Sequence, residues 1–170
     1  PKPAYWWVRK AFEPVHISAK YNSLSLPDKK FIADIWLDNA VNRGDEFLVT
    51  AELFDISGRQ LFNKTGRVEL AAYEHTKIFN IEYQLAEEFA GLVMLQIAAK
   101  NLRTKRTVSE SEYLFSTLLA PALSGMWKIP KTAVKIKSVN RSTVVLKNTG
   151  KIIAFLLDLQ PVKENSNFYE

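Results

Sequence analysis

The sequence has no cysteine in its 170 residues, so no disulfide staples the fold and no thiolate can bind a metal. Histidine is nearly as scarce, with only His16 and His75. Six glycines and seven prolines are spread as punctuation, and none forms a linker or a low-complexity tract. No phosphate-cradling glycine loop, G-x-S-x-G elbow or H-E-x-x-H pair occurs. No apolar run approaches the roughly eighteen residues a membrane span needs, and no signal-peptide pattern is present. No internal repeat is visible either.

What remains is an ordinary globular composition, 47% hydrophobic and 24% charged. The formal charge of +5 and pI near 9.4 would suit an anionic partner. The basic residues are scattered, however. Their one cluster, Arg103, Lys105 and Arg106 in "RTKRT", falls where a hairpin turn is expected and reads as a solvated loop. No nucleic-acid partner is expected.

Residues 4–13, "AYWWVRKAFE", carry apolar groups at helical spacing and predict two or three turns of helix. Pro14 should stop it, because proline cannot donate the helical hydrogen bond and holds its predecessor extended. The period then changes to two. Val15, Ile17, Ala19 and Tyr21 alternate with polar residues, as a half-buried strand requires. Phe31, Ala33, Ile35 and Leu37 share one face of "FIADIWLDN", and Phe47, Val49, Ala51 and Leu53 one face of "EFLVTAELFD". After the turn "ISG" come "RQLFNKTGRVEL", then "TKIFNIEYQL" with Phe79, Ile81 and Tyr83 aligned. "LVMLQIAAK" aligns Val93, Leu95, Ile97 and Ala99, and "TVSESEYLFST" ends the set. Seven short strands between turn signals predict an all-β, immunoglobulin-like antiparallel sandwich.

At "LLAPALSGMWKIP" the alternation stops, which predicts a crossing segment with Met126 and Trp127 as packing residues. Three further strands, "AVKIKSV", "STVVLKN" and "KIIAFLLDLQ", then predict a second β-sandwich unit that is only partial. The expected organisation is a helical remnant over 1–13, a sandwich over 14–117, and a linker with the partial second unit over 118–170.

Catalytic candidates are few. His16 and His75 lie far apart in sequence without a ligand-spaced carboxylate cluster, and each reads as a lone structural histidine. Glu87–Glu88 would suit acid/base work, but the pair falls in a loop before a strand and reads as solvated. Trp36, Trp127 and the amino-terminal aromatics could build a sugar-stacking platform, while burial serves Trp36 equally well. No catalytic, metal or cofactor site is expected.

"YWWVRKAFEPVHIS" resembles the junction in glycoside hydrolase family 2, in its β-mannosidase and exo-β-glucosaminidase branch. There the last helix of the catalytic barrel enters a carboxy-terminal sandwich. Tyr5, Trp6, Arg9, Lys10, Ala11, Phe12, Pro14 and Val15 follow that pattern in order. "IADIWLDNAVN" is similar to the strand that ends in an asparagine turn, and "RTVSESEYLFS" to a V-S-E-N-x-Y-x-L-S stretch, with Ser111 where asparagine is usual. "VVLKNTGKIIAFLLDL" and "NSNFYE" resemble the next strand pair and its lead-in.

The resemblance implies that the chain is the non-catalytic end of a larger retaining glycosidase, inactive alone, whose two catalytic glutamates lie on an upstream barrel. Tyr5, Trp6, Trp7 and Phe12 would then face that barrel of the same polypeptide, or associate with a second copy in its absence. The resemblance favours a periplasmic or secreted location and leaves the cleaved glycoside open. Two other readings stand beside it. One is a carbohydrate-binding module that holds a polysaccharide on Trp36 or Trp127. The other is a stand-alone immunoglobulin-like adhesion or assembly domain.

Overall fold

The computed structural model describes residues 3–117, 131–140 and 143–154. The chain divides into two units, Pro1–Ile129 and Pro130–Glu170. The first opens with helix α1, Pro3–Ala11, whose last turn carries Arg9 and Lys10 at the negative end of the helix dipole. Glu13 N–H still donates to Lys10 O at 3.1 Å, after which Pro14 turns the chain into strand.

Seven strands follow: β1 (Val15–Lys20), β2 (Lys30–Asn39), β3 (Asp45–Asp55), β4 (Gln60–Leu70), β5 (His75–Gln84), β6 (Leu92–Asn101) and β7 (Thr107–Ser116). They form two antiparallel sheets, β1-β2-β5 and β4-β3-β6-β7. The expected all-β sandwich is present, with the fourth strand joined to the third rather than the fifth. The period-two residues meet between the sheets. Ile17, Phe31, Ile35, Leu37, Phe47, Val49, Leu53, Ile81, Leu95, Ile97 and Phe115 are all buried in one core. Each such side chain contributes roughly 1.5–3 kcal/mol. Phe115 meets Phe31 and Tyr21 edge-on, both at 4.9 Å between centroids.

The two open seams of the sandwich are closed in different ways. At one, edge strand β1 faces edge strand β7. Ile17 N–H donates to Ser109 Oγ (3.1 Å), Ser111 Oγ donates to Ile17 O (3.1 Å), and Ala19 N–H donates to Tyr113 OH (3.1 Å). Ser109 Oγ also donates to Glu13 Oε2 at 2.7 Å, which ties the segment after α1 to the same seam. At the other seam β4 approaches β5 across Gly66, where an added Cβ would stand 3.1 Å from the Phe79 ring. Lys64 Nζ spans this seam, lying 5.1 Å from the centre of that ring and donating to Asn80 O at 2.9 Å.

The second unit contributes a hairpin, β8 (Val134–Val139) and β9 (Val144–Asn148). Ile136 stands opposite Leu146 and Val139 opposite Val144, and Ile136 and Val139 are 62% and 65% exposed. The strand expected over 151–160 does not begin where the sequence pattern places it. Asn148 folds residues 149–152 into a turn instead, its amide donating to Ile152 O (2.6 Å) while its Oδ1 accepts from Gly150 N–H (3.0 Å). The remainder of that segment, the crossing segment, Met126 and Trp127 lie outside the described residues.

Tyr113→Phe should lower sandwich stability by about 1–3 kcal/mol, because it strands the Ala19 N–H at a half-buried seam. Urea unfolding measures this, and an unchanged midpoint would contradict it. Burial raises the Tyr113 phenol above its ordinary 10.0, against the opposing bond from Ala19. The folded state therefore holds this proton longer than the unfolded chain, so stability is intact below pH 10 and falls as pH rises through the folded value. The phenylalanine variant should show a shallower alkaline decline.

Candidate functional site

The solvent face of β1-β2-β5 gathers three of the side chains singled out in the sequence, His16, Trp36 and His75. Register places His16 opposite Asp38, and Asp38 opposite His75. The two histidines, far apart in sequence, thus flank one carboxylate across three strands. They are not isolated, as the sequence reading held. His75 Nδ1 contacts Asp38 Oδ1, and the imidazole lies parallel to the Trp36 indole, 4.6 Å between centroids and 9° between planes. Below this row, Asp34 accepts from Asn80 Nδ2 at 3.0 Å and stands 3.6 Å from Lys77 Nζ. The Asn80 bond is the main cause of the lowered Asp34 pKa, and Lys77 adds to it against desolvation.

Trp36 points outward but is only half-buried, and one indole face is covered by His75. Its Nε1, and His16 Nδ1 on β1, are buried and find no hydrogen-bond partner among the described residues. The face can stack and hydrogen-bond. Among the described residues, no group of three or more His, Asp or Glu is placed to hold a metal ion.

The other candidates separate. Glu87 and Glu88 are exposed in the β5–β6 loop, where Lys29 Nζ donates to Glu87 O. On the outer face of the larger sheet, Thr50, Glu52, Gln96, Glu110 and Glu112 line a shallow groove of about 130 Å³. Tyr5 and Phe12 of the expected barrel-facing set are exposed, Phe12 to 82%. The side chains of Trp6 and Trp7 lie outside the described residues, as does Trp127.

A polar anchor the sequence reading missed is Asp45 at the start of β3. Arg103 grips it with two bonds, Nε to Oδ1 at 2.8 Å and Nη2 to Oδ2 at 2.7 Å, and Arg43 approaches at 3.4 Å. These bonds, Arg103 first, bring the Asp45 pKa down from 3.8 to about 2. The "RTKRT" hairpin is thus an exposed turn, pinned by the Arg103–Asp45 pair and by the bonds of Asn101 to Thr104 and Arg106. Because the folded pKa is depressed, this contribution is complete above pH 3.8 and is lost as pH falls through about 2. Arg103→Gln should therefore be less stable than the parent at pH 6, with the difference shrinking as pH falls from 3.8 through about 2. Acid unfolding curves that stay parallel throughout would contradict the assignment.

No family model matches the sequence, and neither does any curated protein. Solved structures do resemble it. The exo-chitosanase CsxA of Amycolatopsis orientalis superposes with a TM-score of 0.65 at 16% identity, covering 86% of this chain and 19% of that one. A variant of that enzyme bound to PNP-beta-D-glucosamine gives 0.63 at 17% identity over the same shares, 86% and 19%. The same exo-beta-D-glucosaminidase inhibited by a glucosamine-configured castanospermine gives 0.63 at 18%, covering 88% and 19%. At these identities the likeness establishes the fold. The chain spans about a fifth of the length of the enzyme it resembles.

Proposed function

We propose that the chain is a non-catalytic β-sandwich region of a family 2 exo-β-glycosidase of the β-mannosidase-like branch, bracing a catalytic barrel that lies outside these 170 residues. The observation that carries this reading is the superposition of 86% of the chain on one stretch of an exo-chitosanase. The ordered motifs at 5–15, 32–42, 106–116 and 144–159 support it, since they fall on α1–β1, the β2 end, β7 and β9 onward. In this reading residues 1–13 belong with the barrel, 14–117 form the sandwich, and 118–170 link to and begin a second sandwich unit. The substrate would be a β-linked glycoside such as a glucosaminide or mannoside, chosen by the barrel.

A saccharide-contacting module is the second reading, carried by the Trp36–His75 ring pair on an open sheet face. It ranks behind because the indole is half-buried and already stacked.

The 170-residue chain should release no nitrophenol above buffer from β-mannoside, β-glucosaminide or β-galactoside substrates. Turnover in hydrolase-free material would overturn the proposal. In a longer polypeptide carrying the barrel, Glu87→Gln and Glu88→Gln should leave kcat within about twofold, since neither exposed carboxylate would touch substrate.

A further inference from the structure

No Asp or Glu occurs between Glu112 and Asp158, while residues 130–154 hold Lys131, Lys135, Lys137, Arg141, Lys147 and Lys151. Those six charges exceed the net +5 of the whole chain. The basic turn at 103–106 is therefore the lesser concentration, since Arg103 there is paired with Asp45. The five described lysines are all exposed, and the described part of their own unit offers no acid to pair with them.

The β8–β9 hairpin sorts charge from apolar surface. Register places Lys135 directly opposite Lys147 and Ser138 opposite Val145, so these four share a face. The bulge between Ile136 and Ser138 keeps Ile136 and Val139 together on the other face, with Val144 and Leu146. Thr149 N–H and Gly150 N–H both donate to Ala133 O, at 2.8 Å and 3.2 Å. That turn returns Lys151 to the end of the hairpin where Lys131 enters it. Like charges directly opposite on a ladder, with Cβ atoms about 5 Å apart, repel and destabilise the pairing. A two-stranded hairpin has little stability to give up. An uncompensated Lys135–Lys147 pair therefore marks a surface that an anion relieves.

We infer that the lysine face of β8–β9 binds an acidic polysaccharide, a chain of uronate or sulfated sugars. Lysine is a compact point charge with rotatable donors, which suits anionic groups spaced along a flexible sugar chain. Ser138, exposed on the same face, can exchange hydrogen bonds with sugar hydroxyls. The face carries no aromatic ring to stack a base and no arginine or carboxamide to read one. A bilayer would need the charges and the exposed apolar groups on one side, whereas Ile136 and Val139 lie on the opposite face. Folded protein partners are anchored by aromatic and arginine side chains, with lysine depleted. Such a surface is independent of the bracing role.

The test titrates heparin and polygalacturonate, one sulfated and one carboxylated, into the 170-residue chain and follows amide chemical shifts. One or both should move Lys135, Ser138, Val145 and Lys147, with an affinity that falls as salt is added. The tighter binder tells sulfate from carboxylate. Lys135→Gln/Lys147→Gln should weaken binding by about tenfold while raising amide protection of Val144 and Leu146, because the repulsion is gone. Lys131→Gln/Lys151→Gln, outside both strands, should weaken it in the same direction. Lys105→Gln/Arg106→Gln on the sandwich should leave affinity within about twofold. An equal loss from that last variant, shifts confined to the sandwich, or no shifts with either polymer would overturn the site. Equal affinity for duplex DNA, polyglutamate or phosphatidylserine vesicles would overturn the polysaccharide as its ligand.

Discussion

Strand β1 has a ladder partner on one side only, and its other edge faces the core seam rather than water. Backbone groups there need acceptors and donors, because each buried polar group left unpaired costs about 1–3 kcal/mol. The hydroxyls of Ser109, Ser111 and Tyr113 supply them, on inward positions of β7 that a plain sandwich would fill with aliphatic side chains. Small serines also let the two edge strands come close. Ser109 is shared with Glu13, so the point where the chain leaves α1 is fixed to the far sheet by the same bond set.

The alignment of the loops where the chain enters β1 depends on this seam. With β1 held against β7, Pro14 is positioned to accept from Ala40, and Asn39 can join the β2–β3 and β4–β5 loops. The opposite seam uses the absence of a side chain at Gly66 and the reach of Lys64. The centre between the sheets is thereby filled by apolar side chains, its buried serines kept to the seam, and Asp34, Asp45 and His75 stand on the outer face and loop end. There Asp34 and Asp45 find donors that keep them ionised, while His75 lies across Trp36. Structure of this kind positions surfaces. The carboxylates it gathers about a groove, Glu52, Glu110 and Glu112, line a shallow depression on the outer face of the larger sheet.

Much of this was legible in the sequence where one face of a strand is uniformly apolar. Phe31–Leu37, Phe47–Leu53 and Val93–Ala99 carry an apolar residue at every second position, and each of those positions falls on the core face. Strand β7 was legible as a strand, but not why its inward positions read serine, serine, tyrosine, since their partners lie more than ninety residues away. The His16–Asp38–His75 row was hidden for the same reason, because it follows from which strands pair and with what bulge near Trp36. Tyr73 gave no sign of its left-handed backbone, as tyrosine is not a residue that signals one. The strand expected from Lys151 was drawn from an apolar run, and local turn bonding by Asn148 took precedence at its start.

The proposed bracing role would tie these features to function, since a pinned seam and an aligned loop end are what a supporting module requires. The most direct test unfolds the longer polypeptide in urea while following amide protection of Ile17 and Ala19 alongside glycoside turnover. The account predicts that turnover is lost together with protection at the β1–β7 seam. Turnover that survives full loss of that protection would contradict it.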